Sequence, residues 1–147
     1  MGETRQAVER SVEVWNAHDR DGWLQLGRDD VDVLAPGGLA AKGSAVWGQL
    51  YDIWHDGFPD NQVQAKVIAE DGSTGLLEAT FSGTHTGALK PPSGPQIPPT
   101  QKQVSLNFVV VHRVTGGKFT SLHLYFDQVE LLSQLGLMPA PTAAGSS

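Results

Sequence analysis

The segment that decides the fold is Gly117–Leu137, GKFTSLHLYFDQVELLSQLGL. Apolar side chains that alternate with polar ones predict a β-strand over Lys118–Asp127. The residues that follow predict a short helix over Val129–Leu135, because a glycine comes directly after it and glycine commonly ends helices.

Asp127 lies at the junction between this strand and this helix. From Ala79 to the C-terminus, Asp127 and Glu130 are the only two carboxylate side chains. A carboxylate beside a strand rich in Leu, Phe, Tyr and His is costly to desolvate. Two interpretations are therefore open: Asp127 meets solvent at the end of the strand, or it is kept there for chemistry.

The composition bounds the class of protein. The chain has 147 residues, which predicts a single domain over residues 1–138 with a disordered tail over 139–147. A net charge of −6 argues against nucleic acid or an anionic membrane as the main partner. The absence of cysteine excludes disulfides, thiolate nucleophiles and cysteine-ligated metals. No apolar signal segment and no long apolar run are present, which predicts a cytoplasmic protein.

The rest of the chain divides into helices followed by strands. Helical spacing of apolar residues predicts helices in the first part, and strict alternation predicts long strands from residue 63 onward. Helices first and an antiparallel meander later form an α+β pattern, here a cone whose curved, mixed or antiparallel sheet has the N-terminal helices on its concave face. The predicted helices are Glu3–Ala17, Trp23–Leu26, Ala45–Trp54 and Val129–Leu135; the predicted strands are Val31–Leu34, Val63–Ala69, Thr74–Thr86, Gln103–Val114 and Lys118–Asp127.

Both faces of the Lys118–Asp127 strand have a distinct character. Ser121, His123, Tyr125 and Asp127 share one face, and the other face is aliphatic and aromatic. We expect the polar face to line a pocket and the apolar face, with Leu122, Leu124 and Phe126, to form a buried layer or a subunit interface. The alternative is that the polar face meets water.

Two other histidines are candidates for the site. His85 lies between glycines at the start of the proline-rich segment Gly87–Thr100, and it either contacts substrate or ties that segment to the sheet. His112 is in phase with Leu106 and Phe108 on its strand, so it is either a core histidine or a proton carrier in a pocket.

Aromatic and amide side chains complete the predicted pocket wall. All four tryptophans lie in the helical half and are core residues by their spacing, yet helices across a cone also face its cavity. We expect the substrate contacts Trp15, Trp47, Trp54, Asn107 and Phe108 in addition to His85 and Tyr125.

Several chemistries fit the sequence badly. It has no serine-hydrolase elbow, no glycine-rich phosphate loop and no HExxH or comparable metal motif, so we expect neither metal nor cofactor. The lysines lie in or beside loops or opposite an apolar strand face, which argues against a Schiff base. General acid–base chemistry by a carboxylate and histidines remains.

The sequence resembles the SnoaL-like polyketide cyclases of the nuclear-transport-factor-2-like superfamily. The matching pieces span the second half of the chain in a specific order and spacing: Phe81-Ser82-Gly83-Thr84-His85-Thr86-Gly87, Pro98-Pro99-Thr100, Gly116-Gly117-Lys118, Tyr125-Phe126-Asp127 and Gln134-Leu135-Gly136. The N-terminal half agrees in its helical layout alone. The proline-rich segment is longer than in the family pattern, so the family's substrate is not carried over.

This resemblance implies a cone-shaped pocket without metal or cofactor and a role in secondary metabolism. It implies that Asp127 is the base for an intramolecular aldol closure of a hydrophobic or aromatic polyketide-like substrate, assisted by His112 or, failing that, His123. It also implies a homodimer or homotetramer that assembles through the outer face of the sheet. Two other hypotheses stay open: another proton-transfer reaction in the same pocket, such as hydrolysis or isomerisation, and a non-catalytic binder of small hydrophobic ligands.

Overall fold

The computed structural model describes residues 2–92 and 94–138 and has an α+β fold, as predicted. The predicted tail, residues 139–147, lies outside the described residues. In chain order the elements are α1 (Glu3–Asn16), α2 (Arg20–Leu24), β1 (Gly27–Ala35), β2 (Leu39–Lys42), α3 (Ser44–Gly57), β3 (Gln62–Asp71), β4 (Thr74–Thr84), β5 (Gln103–Thr115), β6 (Lys118–Tyr125) and α4 (Gln128–Gln134).

The six strands form one open sheet in the order β2-β1-β6-β5-β4-β3. Neighbouring strands are antiparallel, except that β1 runs parallel to β6. The sequence did not predict β2, because in this four-residue strand Leu39 alone is buried and no alternation is visible. Gly37 and Gly38, with φ of 93° and 91°, turn the chain from β1 into β2.

Helices α1, α2 and α3 cover one face of the sheet. Each of the two long helices buries an apolar stripe that includes a tryptophan, Trp15 in α1 and Trp47 in α3. The core lies between these stripes and the covered, concave face of the sheet. None of the helices in residues 2–92 and 94–138 is long and apolar enough to span a membrane.

Two tryptophans join α2 to α3 by a reciprocal contact. The Trp23 ring stacks on the Trp47 ring with 4.4 Å between centroids and 6° between planes. Each indole N–H donates to the main-chain carbonyl of the other residue, at 3.0 Å from Trp23 and 2.7 Å from Trp47. Trp47 is fully buried and also stacks on Phe119 of β6, so this pair connects the helical layer to the sheet.

A β-bulge interrupts the alternation of β6. The register of the β5–β6 ladder shifts between Arg113, opposite Ser121, and Val114, opposite Phe119. The extra residue lets Phe119 and Leu122 both be buried, although three positions separate them. This is why simple alternation along the whole strand does not describe which side chains face the core.

The proline-rich segment between β4 and β5 is bonded to the rest of the structure at several points. Leu89 and Ile97 exchange two main-chain hydrogen bonds of 2.9 and 2.8 Å across the segment. At its start, the Gly87 N–H donates to the Gly57 carbonyl at 3.2 Å. This approach is so close that a Cβ atom at Gly87 would lie 1.9 Å from the Asp56 carbonyl oxygen.

We expect Gly87→Ala to lower the free energy of unfolding by more than Gly116→Ala. Both changes add one methyl group. At Gly116 the Cβ meets nothing within 4 Å, so the cost is that of a left-handed conformation, about 1 kcal/mol. At Gly87 the backbone itself must move. Urea denaturation of both variants measures the difference, and equal losses would contradict the close contact.

Candidate active site

The concave face of the sheet and the three helices over it enclose an apolar cavity. It holds about 640 Å³ of space with its open side included. We call it the main cavity. Its lining consists of Ser11, Val12 and Trp15 of α1, Trp23 of α2, Leu50 and Trp54 of α3, Val63 of β3, Leu77 and Phe81 of β4, Leu106, Phe108, Val110 and His112 of β5, Leu122 and Leu124 of β6, and Phe126.

Most hydrogen-bonding groups in this lining are already engaged by the protein. The Ser11 hydroxyl donates to the Val8 carbonyl at 2.6 Å. The Trp15 indole N–H donates to the side-chain oxygen of the buried Asn61 at 2.7 Å, which holds this ring in the wall. Trp23 is committed to its contact with Trp47. These groups therefore shape the cavity and leave it apolar.

His112 is the one titratable side chain in the lining of the main cavity as the structure describes it. It is 2% exposed, and neither ring nitrogen has a hydrogen-bond partner. Burial disfavours the imidazolium form and lowers the pKa of His112 to about 3. The side chain is thus a neutral imidazole at physiological pH, with one nitrogen able to accept a proton and the other able to donate one.

Apolar groups of β6 and α1 pack beside His112. The ring packs against Phe119 with 4.6 Å between centroids. On the neighbouring strand its partner is Gly75, where a Cβ would come within 2.8 Å of a Val8 methyl and 3.0 Å of the Thr4 methyl. The missing side chain at Gly75 therefore lets α1 lie directly beside His112.

The expectation that the polar face of β6 lines the pocket is wrong, whereas the apolar face forms the buried layer that one alternative held. Leu122 and Leu124 line the main cavity, while Ser121, His123 and Tyr125 face away from it. The physical reason is that the helices cover the concave face, so the apolar side chains of β6 meet them there and the polar ones remain on the convex, outer face.

Three of the predicted site residues lie on the outer face. His123 Nε2 lies 2.9 Å from Asp32 Oδ2 on β1, and Tyr125 is 51% exposed. The side-chain oxygen of Asn107 accepts hydrogen bonds from Thr80 Oγ1 at 2.9 Å and Lys66 Nζ at 3.3 Å. None of the three lines the cavity, because each occupies an outward position on its strand.

Asp127 is exposed and begins α4. Its Oδ1 accepts from the backbone N–H groups of Val129 at 2.9 Å and Glu130 at 3.2 Å, the geometry of a helix N-cap. It is not part of the lining of the main cavity, although its neighbour Phe126 is. Of the two interpretations of this isolated carboxylate, its position corresponds to the solvent-exposed one.

His85 and Trp47 serve the fold around the cavity. His85 Nδ1 accepts from the Thr100 backbone N–H at 3.2 Å, so the histidine ties the proline-rich segment to the sheet, as one of the two interpretations held. Burial lowers the pKa of His85. Trp47 is enclosed between Trp23 and Phe119 and does not reach the main cavity.

Trp15, Trp54, Phe108 and His112 are the predicted site residues that line the main cavity. The leucines of β6 were missed as wall residues, as was Ser11. The signal that could have found them is phase: residues that share a face with His112 across the β5–β6 ladder, such as Leu122, must also face the cavity. No three His, Asp or Glu side chains of the described ranges are grouped so that they could hold a metal ion.

Comparison with known proteins gives one family and one fold. The sequence profile of the SnoaL-like polyketide cyclases matches residues 5–135. A candidate SnoaL-like polyketide cyclase from Jannaschia sp. CCS1 superposes with a TM-score of 0.81 at 18% identity, over 93% of this chain and 94% of that one. No match is found among curated protein sequences.

Two streptomycete structures share the fold. AclR from Streptomyces galilaeus, a candidate hydroxylase, has a TM-score of 0.77 at 25% identity, over 95% of this chain and 88% of that one. IdmH from Streptomyces antibioticus, a candidate polyketide cyclase, has a TM-score of 0.74 at 20% identity, over 90% of this chain and 98% of that one.

We expect His112→Leu to change how stability depends on pH. The folded-state pKa of about 3 lies below the ordinary value of 6.5, so below pH 6.5 the unfolded chain binds a proton that the folded protein does not. The wild type therefore loses stability as the pH falls, by about 2 kcal/mol between pH 7 and 5, and the variant lacks this loss.

Urea denaturation of both proteins at the two pH values measures this difference. At pH 7 the variant should be the more stable by about 1–3 kcal/mol, because leucine replaces two buried nitrogens without partners. Parallel pH profiles for the two proteins would show that His112 is not a buried neutral imidazole.

Proposed function

The chain belongs to the family of SnoaL-like polyketide cyclases, and from this premise we propose that it closes a ring in a small, apolar poly-carbonyl substrate without a cofactor. The observation that carries the proposal is His112, the one titratable side chain in the described lining of the main cavity, whose two ring nitrogens make no hydrogen bond to the protein. We assign it the proton transfers of an intramolecular aldol reaction.

The proposed reaction needs one proton carrier. The neutral imidazole of His112 takes a proton from a carbon that lies between two carbonyl groups, and the electron pair of the C–H bond becomes an enolate. The enolate carbon attacks a third carbonyl group, farther along the same molecule; this forms the new C–C bond, and the electron pair of the C=O bond becomes an alkoxide. The alkoxide takes the proton back from the imidazolium, so His112 ends neutral and no co-reactant is consumed.

A histidine with a low pKa can perform this transfer because the charges form together. Without a counter-charge, an imidazolium would be a lone charge among apolar side chains, and this burial lowers the pKa of His112 to about 3. When the proton comes from the substrate, the enolate is a counter-charge within the same apolar space. Attraction between opposite charges is strong there, because little solvent screens it.

The walls of the cavity supply the second part of catalysis. A flexible poly-carbonyl chain must fold so that its enolate carbon and its target carbonyl meet. A cavity with aromatic walls, including Trp15, Trp54 and Phe108, favours such a folded, compact conformer. Hydrolysis is less well supported, since the main cavity's described lining offers no group of donors for a tetrahedral oxyanion.

The proposal that Asp127 is the base makes a different prediction and stays open to test. Its carboxylate caps α4, and asparagine is as good an N-cap as aspartate. Asp127→Asn therefore preserves the helix while it removes the base, and it separates the two candidates cleanly.

We expect His112→Leu to lower turnover by a factor of about 10²–10⁴ and Asp127→Asn to leave it nearly unchanged. The probe is a linear triketone ester. Nuclear magnetic resonance follows uptake of deuterium at the carbon between two carbonyls, and chromatography follows the cyclised product. Deuterium uptake reports proton abstraction even for a probe that is a poor substrate for ring closure.

Binding of the same probe, measured by calorimetry, is the control, and it should survive in both variants. Full deuterium exchange in His112→Leu, together with loss of exchange in Asp127→Asn, would show that Asp127 is the base. Binding to the wild type without any exchange would favour a non-catalytic carrier of hydrophobic ligands.

We also propose that two copies of the chain pack through the outer face of the sheet. Leu34, His123, Val111 and Leu76 form one row across four adjacent strands on this face. Leu34 is 38% and Leu76 37% exposed in the single chain, and Tyr125 extends the apolar area. Exposed apolar side chains grouped in this way on one face of a sheet, here on both sides of the His123–Asp32 pair, are typical of a subunit interface.

Val111→Asp, in the centre of this row, should convert the dimer to a monomer. A carboxylate there would have to lose its hydration in the interface. Sedimentation measurements across a concentration series give the mass, and Thr115→Asp, at the exposed end of the same strand, is the matched control. A wild type that is monomeric throughout would refute the proposal.

A further inference from the structure

A second cavity lies next to the main one. It is bounded by α3, the turn between β1 and β2, the proline-rich segment and α4, and it holds about 580 Å³ with its open side included. Leu50, Trp54 and Phe126 belong to the walls of both cavities. The two spaces therefore adjoin at these three side chains.

The contact between the two cavities is formed by aromatic edges. The Trp54 and Phe126 rings meet at 5.4 Å between centroids and 80° between planes, and neither side chain is fully buried. An edge-to-face pair like this is worth about 1 kcal/mol beyond its buried area. A ligand with an apolar body can replace that contact with its own.

One wall of the second cavity is formed by the proline-rich segment, which main-chain hydrogen bonds hold in place. Leu89 and Ile97 contribute their side chains to it, and their reciprocal main-chain hydrogen bonds of 2.9 and 2.8 Å fix the segment that carries them. Leu131 and Leu132 of α4 form the opposite side. Chemically this cavity suits a hydrocarbon or aromatic group, and it holds no titratable side chain among its described lining.

We propose that the second cavity is a subsite for the distal, apolar part of an elongated carbonyl substrate whose reacting end lies against His112. The ligand passes between the cavities at Leu50, Trp54 and Phe126. This proposal rests on the proposed function for the role of His112, but the subsite itself depends on the adjoining cavities alone. The protein then selects substrates by the length of the tail beyond the reacting carbonyls.

The test is a length series of ligands. Straight-chain methyl ketones from pentanone to tridecanone are titrated into the protein by calorimetry. Each methylene that leaves water tightens binding about fourfold. In the wild type, the gain in affinity per methylene should continue past the chain length at which the main cavity is full. In Ile97→Trp, which fills the second cavity, the gain should stop at that length.

Two further variants make the result interpretable. Leu132→Phe fills the same cavity from α4, so affinity should again stop rising at the shorter chain length. This variant keeps the test valid if Ile97→Trp does not fold. Val129→Trp, on α4 but 43% exposed and outside both linings, should behave as the wild type. The subsite proposal would be refuted if affinity stopped rising at the same chain length in the wild type and in both filled variants.

The same series separates this proposal from the proposed function. His112→Leu should lose deuterium exchange and keep the length dependence of the wild type. Normal length dependence together with exchange that does not need His112 would refute the catalytic assignment and leave the subsite standing. The opposite result is deuterium exchange that needs His112, together with a wild-type affinity that stops rising once the main cavity is full. That result would support the catalytic assignment and refute the subsite.

Discussion

The reciprocal contact between Trp23 and Trp47 is the interaction on which the site depends. Two stacked indoles, each donating to the other's main chain, fix α2 against α3 in both distance and rotation. Trp47 continues the stack onto Phe119 of the sheet, and Gly27 leaves room for its ring, since a Cβ there would lie 3.0 Å from three ring atoms. A large, rigid stack of this kind sets the separation between helices and sheet.

That separation explains why a cavity exists above a sheet so rich in leucine and valine. Side chains on the concave face would normally meet the helices and fill the space between them. Here the large rings keep the helices away from the sheet, and Trp15 is held in the wall by its bond to Asn61 rather than packed into the gap. The same arrangement brings α1 beside His112 through the missing side chain at Gly75.

The sequence was sufficient for the fold and for part of the site. The change from helical spacing to alternation defined the α+β class, and the in-phase positions of Phe108 and His112 on β5 are those that face the cavity. The sequence was insufficient where the packing of other elements decides which face of a strand is buried. Alternation divides β6 into two faces equally well, but only the position of the helices decides which face is inside, and the bulge beside Phe119 changes the phase along the strand. Asp127 was singled out by its isolation, whereas its local role, the N-cap of α4, follows from the helix that begins directly after it.

A buried histidine without partners is unfavourable for stability, and this bears on its role. A leucine at the same position would remove two unsatisfied nitrogens and the loss of stability at low pH, at little change in volume. Groups whose environment opposes their own ionisation are concentrated in sites where chemistry needs them. For ring closure, the proton taken from carbon is balanced by one given to oxygen of the same molecule, so a carrier that is neutral before and after the reaction consumes no proton overall. An apolar cavity with a single imidazole meets that requirement, and it would meet it less well if a second charged group shared the space.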